Sequence, residues 1–132
     1  MLLEGDEDNP TQAVHVTMHW VPRAARTPID ARATNATIRY ILFSEQGAGI
    51  YGGGGFLYPT STPGGGTLAA QVRNSSLRLQ DASAGFEDRF GLASATGGFR
   101  AKRDDLRALR LVRRLEVRLH ERLGYPRLVG TN

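Results

Sequence analysis

Cysteine is missing altogether, which removes disulfide bridges, thiolate zinc sites and a cysteine nucleophile from consideration. Long apolar runs are missing as well, none approaching the ~18–20 residues of a membrane-spanning helix. The opening Leu2–Leu3 leads into Glu4, Asp6, Glu7 and Asp8, the reverse of a secretion signal, so the expected location is cytoplasmic. Histidine occupies only three positions and no Gly-x-Ser-x-Gly elbow or comparable motif is present, so no catalytic residue, metal ligand or cofactor is assigned. Lysine is nearly absent: Lys102 is the single one among 17 basic residues. Either a GC-rich coding bias or selection for bidentate anion contacts produces that arginine excess, and composition does not separate them.

What is present suits one compact domain: 132 residues, 40% hydrophobic and 23% charged. The net charge of +4 is unevenly spread. Residues 100–132 carry ten basic against four acidic side chains, a net of +6, which leaves the first 99 residues at −2. Residues 1–12 (MLLEGDEDNPTQ) are acidic, lack periodicity and contain Pro10, and so read as a flexible or partner-ordered arm without a strand. The single α+β domain is then expected over 13–132.

From Val14 the residue types alternate, Val14, Val16, Met18 and Trp20 on one side and His15, Thr17 and His19 on the other, the period of a half-buried strand that Pro22 ends. Residues 34–44 (TNATIRYILFS) become apolar on both faces, as a covered central strand would. Four consecutive glycines, Gly52–Gly55, then predict a hinge or bulge between two short strand-like pieces. Residues 67–81 slip phase across Asn74–Ser75–Ser76, which calls for a bulge or a hairpin turn. Residues 82–89 read as loop, and Phe90–Lys102 as a small-residue strand interrupted at Gly97–Gly98.

The last element is the clearest. Asp104 as N-cap, Gly124 as the residue past the end and Pro126 as a stop bracket a helix over about 105–123. At 100° per residue, Ala108, Leu109, Leu111, Val112, Leu115, Leu119 and Leu123 form one stripe, with Arg107, Arg110, Arg113, Arg114 and Arg118 opposite. Leu106 and Val117 fall on the polar side.

Those arginines are the candidate surface for a polyanion such as nucleic acid, or for an acidic protein, although Glu116 and Glu121 interrupt them. His15 and His19 would chelate one ion only on a helix; on a strand they lie ~13 Å apart. The glycine run lacks the Lys-Ser/Thr and the following helix of a phosphate-binding loop. Trp20, Tyr51, Phe56 and Tyr58 are candidates for lining an apolar ligand cavity if the sheet curls far enough. Glu87 and Asp88, flanked by Phe86, Arg89 and Phe90, form the most polar loop cluster, with a solvated turn as the ordinary reading. Asn35-Ala-Thr and Asn74-Ser-Ser match the glycosylation sequon. The glycine- and aromatic-rich strands and the Thr96–Phe99 turn resemble small calycin-like and allene-oxide-cyclase-like barrels over a few residues, a likeness that implies a barrel and carries no site.

The expected architecture is α+β and mainly antiparallel: a five- to six-stranded sheet or small open barrel with one C-terminal amphipathic helix. The expected function is a non-catalytic binding or assembly module that meets a protein partner or a second copy of itself. A small apolar-ligand barrel, working even as a cyclase-type enzyme through confinement, is the alternative. Polyanion binding through the helix is the third.

Overall fold

The computed structural model describes residues 2–6, 9–20, 34–45, 47–61 and 65–124. Six strands follow one another as a meander: β1 (Leu2–Asp6), β2 (Asn9–Met18), β3 (Ala36–Phe43), β4 (Ala48–Pro59), β5 (Thr67–Ala82) and β6 (Gly97–Lys102). Each pairs antiparallel with its sequence neighbour, in the order β1-β2-β3-β4-β5-β6. The sheet curls into a half-barrel, and α1 (Asp105–Leu123) closes the chain's regular structure. This is the α+β arrangement the residue pattern predicts, with the helix at its expected bounds.

Alternation fixes which side chains share a face. Val14, Val16 and Met18 of β2, Ile38 and Tyr40 of β3, Tyr51 and Leu57 of β4, and Val72 and Leu77 of β5 join two apolar clusters that meet through Val16 and Val72. The opposite face carries Ala13, Ile41, Phe43, Ala48 and Ile50, and there Leu115 and Leu119 of α1 are wholly buried, with Val112 and Leu123 packed beside them. Asp104 caps α1 by accepting the Arg107 N–H at 3.0 Å, and Gly124 ends it at φ 87°, a left-handed conformation that suits glycine.

Several expectations need correction. Residues 1–12 contain β1 and the start of β2: Leu3 pairs with Ala13 and Glu4 with Gln12, so strand formation comes from a cross-strand ladder that acidic composition does not reveal. A bulge between Glu4 and Gly5, with Gly5 at φ 93°, lets Gly5 face Pro10, which lies beyond the β3 pairing where its missing N–H costs no ladder bond to β3. The glycine run does not split the strand, since β4 is continuous through Gly52–Gly55. The phase slip at Asn74–Ser75 is a bulge opposite Gly55: Gly54 pairs with Ser76 and Phe56 with Arg73. Only Gly97–Lys102 of the expected 90–102 strand is strand, and of the residues before it Ala93 alone forms a β-bridge to the sheet, with Leu77. The helix stripe is shorter than drawn, because residues 105–110, Ala108 and Leu109 included, are all exposed and packing on the core begins at Val112. Pro22 and Pro126 lie outside the described residues.

Candidate functional site

A segment between β5 and β6, residues 83–96, crosses the face that α1 leaves uncovered. Gly49 makes its first anchor possible. A Cβ at that position would fall 2.8 Å from Phe86 Cδ1 and closer still to the rest of the ring edge, so glycine there admits the ring onto the strand. The second anchor is the Leu77–Ala93 bridge, whose two backbone hydrogen bonds measure 2.7 and 2.8 Å. Ser75 supplies the third: its hydroxyl donates to the Ala95 carbonyl and accepts the Ala95 N–H at 2.7 Å.

Asp88 is the fourth anchor and the most polar. Its Oδ1 accepts the Tyr51 hydroxyl at 2.8 Å and the backbone N–H groups of Phe90 and Gly91 at 3.1 and 3.0 Å. The bond from Tyr51, helped by the Gly91 and Phe90 amides, holds the carboxyl below its usual range. Burial, reinforced by the Asp88 hydrogen bond and charge, pushes the Tyr51 hydroxyl up to about 12. At neutral pH the pair is therefore a neutral phenol donating to a carboxylate. The neighbouring Glu87 turns away and pairs with Arg89 at 3.3 Å in solvent, so the two adjacent carboxylates take different partners.

Between this segment and the sheet lies a pocket of about 340 Å³. Val14, Ile38, Tyr40, Tyr51 and Leu77 form its sheet wall, and Phe90 and Ala93–Ala95 its outer wall. Three rings meet there: Tyr51 and Phe90 at 5.2 Å between centroids, Tyr40 and Tyr51 at 6.2 Å, Tyr40 and Phe90 at 6.3 Å. The Tyr51–Phe90 pair is edge-to-face, at an interplanar angle of 79°. The Tyr40 hydroxyl donates to Gln12 Oε1. Phe90 nevertheless stays 53% exposed, so it stands at the rim.

Of the four aromatic residues singled out from sequence, Tyr51 alone lines this pocket. Phe56 and Tyr58 alternate onto the other side of β4, where Phe56 is buried and meets Trp20 edge-to-face at 5.9 Å while Tyr58 and Trp20 keep an exposed edge. Sequence reasoning missed Tyr40, Phe86 and Phe90 as site residues. Phe86 and Phe90 flanking Glu87–Asp88–Arg89 were the available signal, since two rings bracketing a charged turn fit a segment laid over an apolar floor.

The remaining candidates resolve separately. His15 is half-buried on β2 and its pKa is lowered, first by burial and then by positive charge nearby, Arg39 included. His19 Nε2 meets Thr37 Oγ1 at 2.7 Å. Among the described residues no group of three His, Asp or Glu side chains could hold a metal ion. Arg107, Arg110, Arg113 and Arg114 are exposed on α1, whereas Arg118 is half-buried with its guanidinium 5.1 Å from the Phe43 ring centre. Asn35 of the first sequon is buried as a clamp: its Nδ2 donates to the Leu57 and Trp20 carbonyls at 2.8 and 3.1 Å, and its Oδ1 accepts the Leu57 N–H at 2.6 Å. No described helix is long and apolar enough to cross a membrane. Comparison with models of known protein families, with curated proteins and with solved structures finds no match to this chain.

Proposed function

We propose that the protein is a binding module whose half-barrel holds a small, mainly apolar ligand in the pocket between the sheet and residues 83–96. The observation that carries this reading is the pocket itself. Its volume of about 340 Å³ lies at the small end of the range for ligand sites, and its walls are aliphatic and aromatic with few polar atoms. Binding is favoured over proton-transfer chemistry, because Tyr51 stays protonated and Asp88 stays ionised around neutrality, leaving neither ready to exchange a proton. A cyclase-type activity would have to rest on confinement alone.

Fluorescence enhancement of N-phenyl-1-naphthylamine, a neutral probe of about the right size, tests the reading. Ala95→Phe puts a ring into the outer wall and should weaken the probe at least tenfold with the far-ultraviolet circular dichroism unchanged. Leu106→Ser, on the exposed start of α1, should leave binding as it was. Equal affinity in the wild type and Ala95→Phe, or no enhancement at all, would reject it.

A second reading, contact with an acidic macromolecule through α1, is supported by Arg107, Arg110 and Arg113 standing exposed beside Leu106, which is 80% exposed. It predicts retention on heparin that falls steeply with salt and is lost in an Arg107→Glu/Arg110→Glu variant. Elution identical to that of this variant would exclude it.

A further inference from the structure

Resting on the pocket reading above, the geometry points to a ligand with a hydrogen-bond-donating, cationic head: we propose that the pocket takes an amphipathic organic amine, with its apolar body against Val14, Ile38 and Leu77 and its ammonium group toward Tyr51 and Asp88.

The direction of the Tyr51–Asp88 hydrogen bond is the first reason. Tyr51 gives its only hydroxyl proton to Asp88 Oδ1, and backbone N–H groups of Arg89 and Phe90 bond the same oxygen, so the phenol has no donor left for a ligand. A ligand that ends in a carbonyl or carboxylate finds no hydroxyl proton to accept and a carboxylate nearby; one that ends in an ammonium group finds a charge that complements its own. Asp88 is exposed outside the pocket lining, and its carboxylate stands one hydrogen bond, 2.8 Å, from the hydroxyl of a lining residue, Tyr51.

The rings are the second reason. Tyr40, Tyr51 and Phe90 lie within 6.3 Å of one another around the same space, and aromatic faces attract a cation placed near their centroids while repelling an anion. Local charge is the third. The chain as a whole carries +4, yet residues 83–96 hold only Glu87, Asp88 and Arg89 as charged groups, a net of −1, and Arg89 is engaged by Glu87. The segment that covers the pocket thus has the opposite sign from the protein.

A matched series measured by isothermal titration on the full chain decides the matter: 2-ethylnaphthalene, 2-(2-naphthyl)ethylamine and 2-naphthylacetate, alike in body and different in head. The amine should bind at least fivefold tighter than the hydrocarbon in low salt, and the carboxylate weaker than both. Asp88→Asn should bring the amine to within twofold of the hydrocarbon while leaving hydrocarbon affinity near its wild-type value, which also reports that the pocket survives the change. Glu87→Gln, on the solvent side, should leave the amine preference intact. If none of the three binds wild-type protein, the pocket reading itself falls. If all bind alike, or the carboxylate binds best, the pocket stands and the proposed head group is wrong. Should Asp88→Asn lose the hydrocarbon as well, the wild-type ranking of the three heads still upholds or overturns the amine.

Discussion

Gly53→Ala and Gly66→Ala form a pair whose effects should have opposite sign, although both exchange a strand-region or turn glycine for the same residue. Neither glycine has a positive φ, so backbone conformation is not the obstacle at either position. At Gly53 the obstacle is space: a Cβ would fall 2.9 Å from the Ser76 carbonyl carbon and closer still to its oxygen. A Cβ is fixed by its own backbone and the atoms it meets are backbone, so no rotamer change relieves the clash, and a return to the ~3.5 Å of normal contact means parting β4 from β5. Gly53 pairs with Leu77 and Gly54 with Ser76, so two adjacent ladder positions stretch. Weakened hydrogen bonds at ~0.5–1.5 kcal/mol each and overpacking at ~1–3 kcal/mol add to about 3 kcal/mol. For a chain of this size that lowers Tm by about 10 °C, read equally as a fall in the urea midpoint at constant slope. Gly66 has nothing within 4 Å of its would-be Cβ, and there alanine should be neutral or stabilise by ~0.4–1 kcal/mol through the unfolded state. Because Leu77 also carries the bridge to Ala93, Gly53→Ala should loosen residues 83–96 as well. A Gly53→Ala protein within 0.5 kcal/mol of wild type would refute the claim that strand proximity selects glycine here.

Three further outcomes are expected. Asn35→Ala removes both halves of the clamp on Leu57 and should cost about 2–3 kcal/mol by urea denaturation, because the buried Leu57 groups lose their partner; a loss below ~0.5 kcal/mol would mean that another group replaces it. Asp104→Ala should cost ~1 kcal/mol and speed amide exchange at residues 106–108 selectively, exchange unchanged there being the contrary result. The Tyr51–Asp88 pair fixes the pH window of the covering segment. The Tyr51 value rises from 10 to about 12 on folding, so its contribution is whole below about pH 10 and lost as pH climbs through 12. Asp88 is lowered, so its contribution is present above the ordinary carboxylate value of about 4 and lost as pH falls through the folded value. Amide exchange at residues 86–91 against pH should be slowest between these limits, apart from its intrinsic pH dependence, and Tyr51→Phe should erase the alkaline limb. An unaltered alkaline limb in that variant would assign the transition elsewhere.

The parts of the structure legible in the sequence are those governed by short-range rules. Asp104 and Gly124 announce α1 because capping acts within one turn, and the alternation from Val14 to Met18 announces β2 because the pleat has a period of two. β1 escaped notice because Glu4 and Asp6 carry no strand signal, and their state depends on pairing with Gln12 and Asn9. The pocket escaped for a similar reason at longer range. Tyr51 and Asp88 stand 37 residues apart, and Gly49 gains its meaning only when Phe86 arrives on top of it. The aromatic residues near the glycine run were visible as a group, but the strand pleat divides them: Tyr51 goes to the pocket, and Phe56 and Tyr58 to the other side.

If the proposed ligand enters beneath residues 83–96, the attachment of residues 93–95 to β5 governs its route. β6 covers β5 only from Thr67 to Val72, and beyond that point the Ala93 and Ala95 contacts are what occupy its outer margin. Lifting the segment to exchange a ligand also bares the Leu77 N–H and C=O, creating for that moment a short unpaired strand margin of the kind that recruits other chains. Under the proposed binding role, ligand turnover and self-association would be coupled through one motion. A bound ligand that holds Phe90 in place should slow aggregation on mild heating by more than its effect on global stability alone would give, and an open, ligand-depleted protein should be the species that seeds it.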